Sequence, residues 1–297
     1  MASRDFFLLP DRAWNRRMKT LAIVLSASAT LFGQRSGPTP NTSETHVTVL
    51  DAGQIVRRSI AATERSWNAR DHYQFTERDE DRRLDAGGRV KSEDVDVSKI
   101  IFVGEVPFEQ LVEHNGRPPS ADEQRKQAEK LDKLKHETPQ ERAARLRQQQ
   151  ENRSFIREVP EAFDFQLIGE EVVNDKPAYV LRATPRAGYC AHGTYGKMMS
   201  KVAGKLWVDE QDFGWIKVDG EVTQSFSMGL FLARVLRGSH ITMEQTRFED
   251  GIWMPNRIEM RASATILFVK SYDINRSVAY SDYQPLQRAS LASLSGR

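Results

Sequence analysis

The sequence predicts an α+β fold built on one dominant antiparallel sheet, with a charged helical hairpin inserted into it. Three observations carry this. Segments of strict apolar/polar alternation recur from Tyr73 to Tyr283, the period-2 sign of strands with one wet and one dry face. Turn signals separate them at hairpin spacing: Asp85-Ala-Gly-Gly88, Asn115-Gly116, Asn174-Asp-Lys-Pro177 and Asp250-Gly251. Helix starts are few and lie at Asp51, Ser120 and Thr138. A chain of 297 residues can bury a sizeable core, and 39% hydrophobic with 28% charged residues is a globular composition.

Taken in order, Arg16, Arg17 and Lys19 precede the apolar run Leu21–Phe32, which exits through Gly33. A basic start, a short apolar stretch and small residues describe a secretory signal over residues 1–33, with cleavage after Ala29 or Gly33 and Met18 as a second possible start. The run is too short for a spanning helix, which needs about 20 residues. No cysteine follows it to carry a lipid anchor, so a mature protein that is exported, periplasmic and not membrane-spanning is expected. Residues 34–50, with Gly37-Pro-Thr-Pro40, read as a linker, and 51–287 as one domain.

Asp51 is an N-cap for a helix to Arg65 with a thin apolar face. Tyr73–Arg78 and Arg89–Val97 form a hairpin, and Ile100–Val103 and Phe108–Glu113 two further short strands. Ser120-Ala-Asp-Glu123 and Thr138-Pro-Gln-Glu141 are capping boxes that start helices over 121–136 and 139–153. Their stripes (Ala128, Leu131, Leu134; Ala143, Ala144, Leu146) are narrow, so the insertion 117–153 reads as a solvated hairpin laced by i,i+4 charge pairs, or as a lid or docking surface. A second hairpin, Phe163–Ile168 with Ala178–Ala183, leads into a loop over 185–200. Strands at Lys205–Val208, Trp215–Val222, Ile241–Phe248, Pro255–Lys270 and Ser277–Tyr283 follow, and 288–297 is a small, polar, disordered tail.

Chemistry is sparse. A net charge of +2 with interspersed acids and bases argues against nucleic acid. Phosphate-loop, nucleophile-elbow and zinc-helix motifs are absent, and no cofactor is expected. Cys190 and His192 form a C-x-H pair without further ligands or an orienting acid nearby, which reads as an ordinary loop thiol. Asp79, Glu80, Asp81, Asp94 and Asp96 read as solvent-facing strand and turn residues rather than a calcium loop.

The dry face is more informative. Ile258, Met260, Ala262, Ala264, Ile266 and Phe268 share one parity, as do Ile216, Val218, Gly220 and Val222. Small residues at Gly220, Ala262 and Ala264 leave room on that face, to be filled by the helix after Asp51 or by an apolar ligand. Phe226, Met228, Phe231, Met260, Ala262, Ile266 and Phe268 are the candidate lining of such a cavity.

Four stretches carry a family resemblance: Gly204-Lys-Leu-Trp-Val-Asp209, Gly214-Trp-Ile-Lys-Val-Asp219, Asp250-Gly-Ile-Trp-Met-Pro255 and Tyr280-Ser-Asp-Tyr283. In them the chain resembles the LolA-like superfamily of periplasmic lipid and lipoprotein carriers over about 160–285. The resemblance implies an unclosed, strongly curved sheet, a half-barrel whose concave side is covered by helices around an apolar cavity. It implies non-catalytic binding of a lipid or an acylated protein. The insertion 117–153 departs from the pattern, as does the absence of an alignable cavity arginine. It opens a second reading, an envelope structural or signalling module that binds a protein partner.

Overall fold

A computed structural model describes residues 50–85, 87–103, 106–191, 193–228, 233–248, 251–266 and 270–286. The expected signal at 1–33, the linker apart from Leu50, and the tail at 288–297 lie outside the described residues. Helix α1 (Ala52–Arg70) begins at Asp51, whose side chain accepts from the Gln54 N–H while the Gln54 side chain accepts from the Asp51 N–H. It runs five residues past the expected Arg65 because Ser66, Trp67 and Arg70 continue its buried stripe.

Strands β1 (Tyr73–Leu84), β2 (Val90–Val103) and β3 (Val106–His114) form a meander. The expected separate strand at Ile100–Val103 is the end of β2, since β1 is long enough to pair with Ile100 through Phe75. Helices α2 (Ala121–Lys135) and α3 (Pro139–Arg153) make the insertion. A 3₁₀ turn (Ser154–Glu158) and the single turn α4 (Val159–Ala162) lead back to β4 (Phe163–Val173) and β5 (Lys176–Pro185). Asn174 and Asp175 both adopt positive φ (51° and 60°), the type I′ geometry that matches strand twist. The expected loop 185–200 contains a two-turn helix, α5 (Gly193–Met199), whose Met199 is pulled into the core.

The remaining strands are β6 (Val202–Asp209), β7 (Trp215–Val222), β8 (Phe226–Met228), β9 (Ala233–Val235), β10 (His240–Arg247), β11 (Trp253–Ile266) and β12 (Lys270–Pro285). Their order is β3-β2-β1-β12-β11-β10-β7-β6-β5-β4, every pairing antiparallel, with the β8–β9 hairpin attached to β11. The end strands β3 and β4 do not pair with each other, so the sheet is open.

It is also curved. Ten strands about 4.8 Å apart would span roughly 45 Å if flat, whereas a helix is about 10–12 Å across. Yet one apolar cluster joins Ile55, Val56, Ile60 and Trp67 of α1 to Phe75 of β1, Ile100 of β2, Leu181 of β5, Leu206 and Val208 of β6, Met243 of β10, Ile258 of β11 and Val278 of β12. Side chains from both flanks meet α1 because the sheet curls around it. We call this the inner face.

Candidate functional site on the inner face

Part of the inner face is closed by α1. Its thin apolar stripe is completed by hydroxyls: Ser59 and Ser66 donate back to the carbonyls of Val56 and Ala62 at 2.9 and 3.0 Å. Each then accepts from the sheet, Ser59 from the Trp215 indole N–H and Ser66 from the Trp253 backbone N–H, both at 3.0 Å. One O–H donor and two lone pairs let a buried serine do both.

The motif residues at 209–215 and 251–255 form a clasp beside it. Asp212 accepts from the Trp253 indole N–H at 2.8 Å, from Arg247 Nε at 2.5 Å and from the Gly214 N–H at 3.2 Å. Burial pushes its carboxyl up, but the bonds from Arg247, Trp253 and Gly214, with a contact to Asp209, outweigh it and hold the carboxyl below the usual range. Asp209 accepts from the N–H groups of Gln211 and Asp212, closing the turn. These contacts fasten the strand ends together.

A bulge between Trp207 and Val208 overturns part of the expected parity. Trp215 pairs with Val208 and Val218 with Leu206 on the inner face, so Ile216 is pushed to the outer side, into a second cluster with Ala178, Val180, Trp207 and Trp253. The expected gap at Gly220 is closed: a Cβ there would lie 3.2 Å from Val202 and 3.4 Å from Ile241.

Strand β11 keeps the parity expected of it. Ile258, Ala262 and Ala264 are buried and Met260 half-buried, while Arg257, Glu259 and Arg261 are exposed. Ala264 stands opposite Val235 of β9, and Val235 opposite Phe226 of β8. Directly opposed residues share a face, so Phe226, Val235, Ala264, Ala262 and Met260 form one strip. The backbone register places Met228 and Ile266 on either side of Ala233. Phe231 and Phe268 lie outside the described residues. Met260, Ala262 and Ala264 belong to neither apolar cluster; the main one takes Ile258 as its last member along β11.

The β1–β2 side of the inner face is ionic, contrary to the expectation of solvent-facing acids. Asp79 and Glu77 are buried, and the register sets Asp79 opposite Asp96 and Asp81 opposite Asp94. Only Glu80 of the five points outward, to Arg78 and Arg82. Arg276 of β12 donates twice to Asp79 at 2.9 and 2.7 Å, both side chains about 5% exposed. Burial pushes the Asp81 carboxyl up, Arg276 and Arg83 pull it back, and Asp79 and Asp94 add to the rise. His114 Nδ1 lies 2.7 Å from Asp96. Alternation alone could not find this arrangement, because a strand of acids reads as wet until its register to Arg276 is known.

The insertion joins the body at a few points. The Gln127 side chain accepts from the Leu111 N–H (2.8 Å) and donates to its carbonyl (3.3 Å), standing in for a strand at the exposed β3 edge. Arg153 donates twice to Asp71, at 2.8 and 2.7 Å. No residue of α2 is buried. Cys190 is exposed, and its expected partner His192 lies outside the described residues. Among the described residues no cluster of His, Cys, Asp or Glu is arranged to hold a metal, and no helix is long and apolar enough to cross a membrane.

No family model matches the chain, and no curated protein does. Solved structures do. A LolA superfamily protein from Nitrosomonas europaea matches at 13% identity and a TM-score of 0.29, covering 80% of this chain and 94% of that one. A domain named for outer membrane lipoprotein sorting, from Vibrio parahaemolyticus, matches at 10% identity and TM-score 0.30, covering 80% and 96%. A DUF1329 family protein from Desulfovibrio piger matches at 9% and 0.31, covering 79% and 93%. The chain is similar to LolA-superfamily proteins. At such identities and TM-scores, what the inner face holds has to be read from its own residues.

Proposed function

We propose that the protein is an exported, non-catalytic carrier of an apolar or acylated ligand, held against the strip of Phe226, Met260, Ala262 and Ala264. The observation that carries this is the stretch of β11 past Ile258: small and apolar side chains on the inner face that neither α1 nor the outer cluster takes up. The remaining expected lining, Met228, Phe231, Ile266 and Phe268, belongs to the same proposal. Burial drives uptake, at about 0.8 kcal/mol per methylene removed from water. Lipid extraction and native mass spectrometry of protein purified from the periplasm test the reading, with a co-purifying acyl species expected. Protein that is always empty and has no affinity for fluorescent fatty acids would overturn it.

A second reading is favoured by the insertion, whose α2 is wholly without buried residues and which is tied down near its base. There the hairpin docks an envelope protein. Deleting 118–152 separates the two: a carrier keeps its lipid, whereas a docking module loses its pulled-down partner.

A further inference from the structure

Arg70, the last residue of α1, is 8% exposed, and its guanidinium lies over the Phe75 ring at 4.7 Å and the Tyr280 ring at 5.5 Å. Among the described residues it has no hydrogen-bond acceptor and no ion-pair partner, although its charge is felt by the neighbouring Asp71 carboxylate and by Tyr283. The other buried arginines have carboxylates: Arg276 donates twice to Asp79 and Arg153 twice to Asp71. Glu77, buried on the same face, has a partner of its own, and its charge, like that of Arg70, acts on Tyr280 and Tyr283. A guanidinium carries five donors and cannot shed its charge, so leaving it buried without an acceptor is costly. Ring faces recover a part of that cost and accept none of the five N–H groups.

Tyr280 adds a second donor. It is 5% exposed, and its hydroxyl has no partner among the described residues, whereas Tyr283 beside it donates to the Pro255 carbonyl at 2.6 Å. A buried cation and a buried hydroxyl, neither with a hydrogen-bond partner among the described residues, thus lie close together on the inner face.

We infer that Arg70 and Tyr280 bind a terminal oxyanion, so that the carried ligand is an acyl or alkyl chain ending in a carboxylate or a phosphate monoester. This rests on the carrier reading and names the charged end of its ligand. A bidentate guanidinium–oxyanion contact supplies the acceptors that Arg70 lacks, and the Tyr280 O–H donates to the same group.

The test uses three probes of equal chain length, laurate, dodecyl phosphate and dodecanol, titrated calorimetrically into the full chain. The expected result is binding of at least one anionic probe about tenfold or more above dodecanol. Arg70→Met should abolish that preference, and Arg70→Lys should restore part of it. Tyr280→Phe, which removes only the hydroxyl and is the variant least exposed to misfolding, should reduce the preference severalfold. Laurate above dodecyl phosphate assigns a carboxylate; the reverse assigns a phosphate. Equal affinity for all three probes, or a preference untouched in both Arg70→Met and Tyr280→Phe, overturns the inference and leaves the carrier standing. Binding of none overturns both.

Discussion

A single methyl group added at Gly214 would meet the Trp253 indole at 1.9 Å, a distance no side chain can relieve without moving the ring. Moving it breaks the 2.8 Å bond from Trp253 to Asp212, which also holds Arg247. Gly214→Ala is therefore expected to lose about 1–3 kcal/mol in urea unfolding, the usual range for overpacking. Asp81 makes the opposite prediction. Its folded carboxyl has its pKa raised, so the folded state binds its proton more tightly than the unfolded chain, and stability falls as pH climbs from the ordinary carboxylate value through the raised one. Asp81→Asn removes that fall without changing shape: its urea midpoint should equal that of the parent at low pH and exceed it near neutrality. A parent-minus-variant difference that does not change between pH 3 and pH 7 would sink this account. Much at this scale was legible: the glycine and tryptophan of the clasp stand out as motif residues, although their roles appear only once Asp212 and Trp253, 41 positions apart, meet. The acids of β1 read as exposed from their polarity alone, and Arg276, almost 200 residues away in sequence, decides otherwise for Asp79.

Elements with local signatures were legible nearly to the residue. The boxes at Ser120 and Thr138 and the Asn174-Asp175 turn each fix backbone geometry within four residues, and the structure has them in place. Elements set by distant partners were not. The end of α1 depends on Ser66 and Trp253, the bulge that displaces Ile216 depends on β6, and α5 forms where Met199 finds the core. The insertion tests this division. Its α2 buries nothing, so replacing 118–152 with a short flexible linker should shift the thermal midpoint by only a few degrees. Arg153→Met, one residue at its base, strips the bidentate partner from Asp71. A full buried-pair loss would cost about 3–5 kcal/mol, but the Asp71 side chain is 37% exposed and stays partly hydrated, so a cost nearer 2 kcal/mol is expected. If the deletion unfolds the protein while Arg153→Met does not, the hairpin is part of the core and the assignment is reversed.

For the whole molecule, α1 and the turns over 154–162 and 193–199 fill the inner face as far as Ile258, and Ala262 and Ala264 beyond it are buried without joining that cluster, so this stretch is either closed core or the wall of a ligand site. The small residues of β11 separate these outcomes. In a closed core, Ala262→Leu inserts three heavy atoms into filled space and destabilises by about 1–3 kcal/mol. Against an unfilled face the same side chain has room, adds apolar contact and leaves stability unchanged or higher. The carrier reading requires the second result together with weaker acyl binding, since the leucine occupies the ligand's volume. Saturating ligand should then raise the parent's stability by mass action, about 2.7 kcal/mol at a hundredfold excess over Kd, and raise the variant's by less. Ile258→Ala, on the same strand but under α1, is the control: it opens a cavity in the packed cluster and should cost about 2–5 kcal/mol whether or not a ligand is present. A destabilised Ala262→Leu protein whose ligand response matches that of the parent would show that β11 is core along its length, and would move the search for function to the helical insertion.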